Sequence, residues 1–175
     1  FSQFRAHYEN ATTARLPSGI RLQLMTPAWL SPDAESPHAG WLPSWAHDGR
    51  HPGLPKGLRL RLVGVCLSRA IAVSGWDMQW QGRGGPRAVR RLAPAGSIYY
   101  VALEDDHGKP VTDAKTFVDV AAALWARAIE SAPVNGVRSN KLREQHLAHP
   151  EHDGLGRMLP GFFWTTQNSH EESAT

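Results

Sequence analysis

Glycine and proline cut this chain into short pieces, and that limits the folds open to it. Sixteen glycines and thirteen prolines among 175 residues favour brief strands joined by turns over long helices. One strong apolar pattern of helical period lies between the breaks. Residues 113–130 place Phe117, Val120, Ala121, Leu124, Trp125, Ala128 and Ile129 on one face, with Asp113 as N-cap and Pro133 as the stop. Residues 139–148 form a weaker, polar helix candidate. The remaining pieces read as strands. Residues 20–26 alternate apolar and polar side chains until Pro27. Leu58–Cys66 alternates again, with Leu58, Leu60 and Leu62 on one face and Arg59 and Arg61 on the other. Further strands are expected at 69–76, 87–92, 97–103 and 162–165. Residues 81–86 (QGRGGP) read as a flexible turn, and 154–161 as a glycine-punctuated loop. Several strands, one firm helix and a final strand indicate an α+β fold.

The basic charge is local. Between Lys56 and Val101 lie Lys56, Arg59, Arg61, Arg69, Arg83, Arg87, Arg90 and Arg91, against a single acid, Asp77. Fifteen of the nineteen basic residues are arginine. Its planar guanidinium pairs with phosphate and stacks on bases, so the block predicts a polyanionic partner. A solvated strand face is the competing reading. The seven tryptophans supply aromatic anchors for a core or a contact surface, three of them (Trp29, Trp41, Trp45) in the proline-rich loop 27–57. Cys66 is the sole cysteine, which excludes an internal disulfide, and its apolar surroundings predict a core position. No stretch is apolar enough to span a membrane and no signal peptide is visible, so a cytoplasmic location is expected. The start at Phe1 reads as the end of a longer N-terminal part.

Catalytic readings are weaker. His146, His149 and His152 recur every third residue beside Asp153, but Pro150 interrupts a shared helical face, so no metal is expected. Metal-independent RNA cleavage needs an acid and a base at one 2′-hydroxyl. His38, His47, His51 and His107 are available but lack evident partners. Glu104, Asp105 and Asp106 precede His107-Gly108 and read as a solvated hairpin tip rather than a magnesium site. No cofactor is expected.

Two segments go beyond a generic α+β domain. One is Ser74-Gly75-Trp76-Asp77, the arginine-bearing gap and Arg91-Leu92-Ala93-Pro94-Ala95-Gly96-Ser97-Ile98-Tyr99-Tyr100. The other is Asp153-Gly154-Leu155-Gly156-Arg157-Met158-Leu159-Pro160-Gly161. With Thr26-Pro27-Ala28 and the Trp41-Leu42-Pro43-Ser44-Trp45 loop, these resemble the third-subunit family of the Cmr complex, the type III-B CRISPR effector, within the RAMP superfamily. The resemblance covers roughly residues 20–165, and residues 132–152 look like an insertion. It implies a ferredoxin-like (RRM-like) RAMP domain, the C-terminal portion of a two-domain family, preceded by residues 1–19 and followed by a disordered tail, 166–175. It also implies a non-catalytic subunit that binds the 5′ tag of the guide RNA (crRNA) beside the large polymerase-like subunit and other Cmr subunits. The candidate RNA-binding residues are Arg83, Arg87, Arg90, Arg91, Gly154, Gly156 and Arg157. Glycines let backbone N–H groups approach a phosphate, and arginines supply charge. Trp76, Trp80 and Tyr99 are candidate stacking or core rings. The alternatives are a guide-RNA-processing endoribonuclease of the same superfamily, or a protein–protein module using loop 27–57.

Overall fold

The computed structural model describes residues 15–30, 41–78, 84–86, 89–129 and 156–165, together with Ala6, Glu9 and Asn10. In chain order, its strands are β1 (Gly19–Leu24), β2 (Leu58–Cys66), β3 (Ile71–Val73), β4 (Trp76–Asp77), β5 (Gly85–Pro86), β6 (Arg90–Leu92), β7 (Ile98–Asp105) and β8 (Met158–Phe163). Among the described residues between β7 and β8 lies the helix α1 (Ala114–Leu124). The main sheet has the order β2-β7-β1-β8, antiparallel throughout. Two short ribbons, β3–β6 and β4–β5, stand in sequence between β2 and β7.

Period-2 alternation divides the sheet into a packed and an open face. Ile20, Leu22 and Leu24 of β1, Tyr99, Val101 and Leu103 of β7, Leu60 of β2 and Met158 of β8 are all buried on one side. Helix α1 packs there through Phe117, Val120 and Leu124, against β1 and β8. Its start was legible because the signal is local. Asp113 accepts hydrogen bonds from the Lys115 and Thr116 amides and from the Thr116 hydroxyl. The Thr116 bonds, hydroxyl first, hold the Asp113 carboxyl below the usual carboxylate range.

The helix ends at Leu124, six residues before the expected boundary, because tertiary pairing captures the next segment. Ala126 takes φ 54° and donates its N–H to Met158 O. Met158 N–H donates to Arg127 O, and Ile129 N–H to Gly156 O. The closing strand correspondingly begins at Met158 rather than at 162. Pro160 fits within it because β8 is an edge strand, so the missing donor leaves no ladder bond unmade. Gly161 is therefore a strand residue, not part of a loop.

Between β1 and β2 the packed face is covered by residues 41–57 instead of a long helix. A 3-10 turn (Ser44–Ala46) inserts Trp45 into the core, 3% exposed, where its indole Nε1–H donates to Ile129 O at 2.6 Å. Leu42 and Leu54 pack beside it, and Tyr99 Oη donates to Trp41 O at 2.8 Å. The tryptophan loop, in its described part, thus forms a core layer rather than an offered contact surface. Trp41, 38% exposed, stays at the rim.

Cys66 corrects an expectation. A bulge between Leu62 and Gly64 shifts the alternation, so Val65 lies opposite buried Tyr99 and Cys66 points outward, exposed. The acidic triplet is a hairpin tip, as expected. Asp105 accepts from the amides of Lys109 and His107, which lower its carboxyl pKa in that order of effect.

Buried His51 locks this layer in place. Its Nδ1 accepts the Gly53 N–H at 2.9 Å and its Nε2 lies 3.1 Å from Ala128 O, an arrangement that fits the neutral Nε2–H tautomer. Burial, and secondarily Arg127, lower its pKa from 6.5, against the raising effect of the Ala128 carbonyl. The native state therefore resists protonation that the unfolded chain accepts. The His51 contribution is present above about pH 6.5 and is lost as pH falls below it. Thermal melts should show a smaller loss of Tm between pH 7 and pH 5 in His51→Gln than in the parent chain. Equal losses in the two chains would remove His51 from the account.

Candidate nucleic-acid interface

The arginine-rich segment folds back on itself as a narrow arm. Ile71, Ala72 and Val73 of β3 pair with Leu92, Arg91 and Arg90 of β6. Further out, Trp76 and Asp77 of β4 pair with Pro86 and Gly85 of β5. A two-stranded ribbon without a covering layer buries few of its side chains, and here Leu92, at the base, is buried while β3 is exposed along its length. Residues 68–76 are exposed throughout, with Trp76 at 60%, Met78 at 79% and Val89 at 67%. Pairing at Gly85–Pro86 shows that the expected 81–86 turn ends in strand, with Gly84 at φ 73° just before it.

Among the predicted site residues, Arg91 is exposed on β6 opposite Ala72, and Arg90 occupies the position opposite Val73. Arg69 is exposed at the arm's base. Arg83, Arg87 and Gly154 lie outside the described residues, as do Trp80, residues 132–152, the 139–148 helix candidate, His146, His149, His152 and the 166–175 tail. Of the two rings assigned to strands, Tyr99 is fully buried and Trp76 is on the surface.

The arm and the glycine segment, about 60 residues apart in sequence, meet on either side of Thr26-Pro27-Ala28. Ala28 and Ala93 exchange both backbone hydrogen bonds at 2.8 Å, anchoring the base of the arm. On the other side, Gly156 N–H donates to Pro27 O at 2.8 Å and Arg157 N–H donates to Thr26 Oγ1 at 2.9 Å. The same three residues thus hold both predicted RNA segments. This geometry also changes the expected role of the glycine turn. The amides of Gly156 and Arg157 are spent inside the protein, so neither offers a phosphate-binding N–H. Gly156 instead supplies a turn at φ 69°, closely packed on Ala28 and Ile129. Arg157 keeps an exposed side chain whose guanidinium donates to Ala126 O at 3.1 Å.

Of the histidines weighed for RNA cleavage, His51 has both ring nitrogens engaged in structural hydrogen bonds, and His47 Nδ1 lies against Ser44 O. His107 is exposed at the hairpin tip, and His38 falls outside the described residues. Among the described residues, no group of three His, Cys, Asp or Glu side chains is placed to hold a metal ion. No helix among the described residues is long and apolar enough to cross a membrane. Sequence reasoning passed over Arg21, Tyr100 and Phe163, which share the open face of the sheet. The alternation in β1 and β7 carried that signal, but strand order was needed to bring the three together.

Residues 9–156 match the family model described as CRISPR-associated protein (Cas_Cmr3). No curated protein and no solved structure matches the chain.

Proposed function

The chain belongs to the Cas_Cmr3 family of CRISPR-associated proteins, subunits of the Cmr complex, and from that premise we propose that it binds guide RNA without catalysing a reaction. In this reading it serves a type III-B interference complex, and the arm of residues 69–92 lies along the 5′ tag of the RNA. The observation that carries the reading is the arm itself. It is an exposed ribbon that presents Arg69 and Arg91, with Arg90 on the same strand, and its base is tied to the Arg157 turn through Thr26-Pro27-Ala28. Arginine on an exposed two-stranded ribbon can follow an irregular single strand while its guanidinium pairs with phosphate. Arg83 and Arg87 belong to the same proposed contact.

The strand order supports a ferredoxin-like reading. β8-β1-β7-β2 has the neighbour relations of a split βαβ sheet, with α1 in the second crossover and the 41–57 layer on the path of the first. Exposed Ile71, Val73, Trp76, Met78 and Val89 on the arm support a protein contact beside the RNA. In the proposed assembly that partner is the large polymerase-like subunit.

Changing Arg83, Arg90 and Arg91 together to alanine should weaken guide-RNA binding by the assembled complex. The slope of log K against log salt should become shallower by roughly 2, as three lost contacts to single-stranded phosphate require. Unchanged affinity and slope in filter binding would place the contact elsewhere. Specific cleavage of repeat-derived RNA by the chain would favour the endoribonuclease reading instead.

A further inference from the structure

Among the described residues, the sheet has a second face that the packing leaves open. Both α1 and the 41–57 layer lie on the other side, and the open-face residues are exposed or half-buried except Gly19 and Gly161, which the Phe163 and Arg21 side chains cover. Register aligns one row across all four strands, in the order Gly64, Tyr100, Arg21, Gly161. A neighbouring row carries Arg61 on β2 and ends at Phe163 on β8.

The chemistry of this face is specific. The Tyr100 and Phe163 rings meet edge to face, with centroids 5.3 Å apart and planes at 88°. Phe163 lies over Gly19, where an added Cβ would stand 2.5 Å from its Cε1. Arg21 lies across Gly161, where a Cβ would stand 2.6 Å from its Nε. A Cβ at Gly64 would meet nothing within 4 Å, so the β2 side of the row is unobstructed. Charge on the face is unevenly satisfied. Arg61 is paired with Glu104, and Arg59 with Asp106 at 3.5 Å. The side chain of Arg21, exposed on a central strand, has no hydrogen bond or ion pair among the described residues.

We infer that this open face is a stacking platform for single-stranded RNA, with Tyr100 and Phe163 receiving bases and Arg21 engaging a phosphate or a base plane. Two rings and one uncommitted guanidinium, set among glycine and Ala102, match what a splayed single strand requires. A protein partner would be expected to meet a broader apolar surface than this row provides. The inference takes its ligand class from the RNA-binding reading above, but it names a different surface from the arm.

The test is fluorescence anisotropy of the full chain with a fluorescein-labelled single-stranded oligouridylate, and separately with an RNA duplex. Tyr100→Ala should weaken single-strand binding about 5- to 100-fold, while Tyr100→Phe should retain most of the affinity. Arg21→Gln, at an exposed position, should also weaken binding and gives an independent readout if Tyr100→Ala folds poorly. Single-strand affinity unchanged by both Tyr100→Ala and Arg21→Gln overturns the inference. So does an equal loss of duplex binding. If these two variants bind normally while the arm variant does not, the platform fails and the arm reading stands. If the parent chain binds no RNA, both fail.

Discussion

Trp45→Ala is expected to lower the stability of the chain by about 3–5 kcal/mol in chemical denaturation. Trp45 is the largest side chain that the 41–57 segment contributes to the core, and it stands where a second covering helix would otherwise bury the sheet. Removing it leaves a cavity in the core beside β2 and strips the Ile129 carbonyl of its 2.6 Å partner. That carbonyl belongs to the segment paired with Gly156, so the loss extends to the base of the proposed interface. Trp45→Phe keeps most of the apolar volume but not the N–H. It should cost less, with roughly 1–3 kcal/mol of its loss from the unsatisfied acceptor. If Trp45→Ala were as stable as the parent, the loop would not be a core layer.

The second large effect is expected at Gly19. A Cβ there would overlap the carbonyl oxygen of Val101 and press on the Phe163 ring. Backbone cannot yield as a flexible side chain can, so β1 would have to move away from β7 or Phe163 leave its seat. Gly19→Ala should therefore destabilise by about 1–3 kcal/mol or more. Gly64→Ala is the matched control, because open space surrounds that position. It should be close to neutral or slightly stabilising through the reduced freedom of the unfolded chain. Equal losses in the two variants would show that the effect is strand propensity and not the close approach of Phe163 to β1.

What could be read from the residues alone follows the range of the interactions involved. Leu58–Cys66 was legible to its ends because alternation is a local pattern and Gly57, at φ 86°, marks its start. The start of α1 was legible because Asp113 caps it within three residues. Its end was not, because Ala126–Ile129 is held by residues 156–158, which no local pattern reveals. The same limit explains Cys66, whose outward turn depends on a bulge against β7. It also explains Gly156 and Arg157. Their composition suited an anion site, but residues 26 and 27 take their amides. The arm was legible as a basic segment, and its pairing made it a ribbon. The open face was not anticipated, since Arg21, Tyr100 and Phe163 become neighbours only through the strand order.

The central claim, that the arm contacts guide RNA, is tested most directly by photo-cross-linking. Guide RNA carrying 4-thiouridine in its 5′ tag would be assembled with the chain and the other Cmr subunits, irradiated and mapped by mass spectrometry. Cross-linked peptides are expected from residues 69–92, with Trp76 or the Arg90–Arg91 pair at the adduct. Tag cross-links that fall on other subunits, with none on the arm, would contradict it.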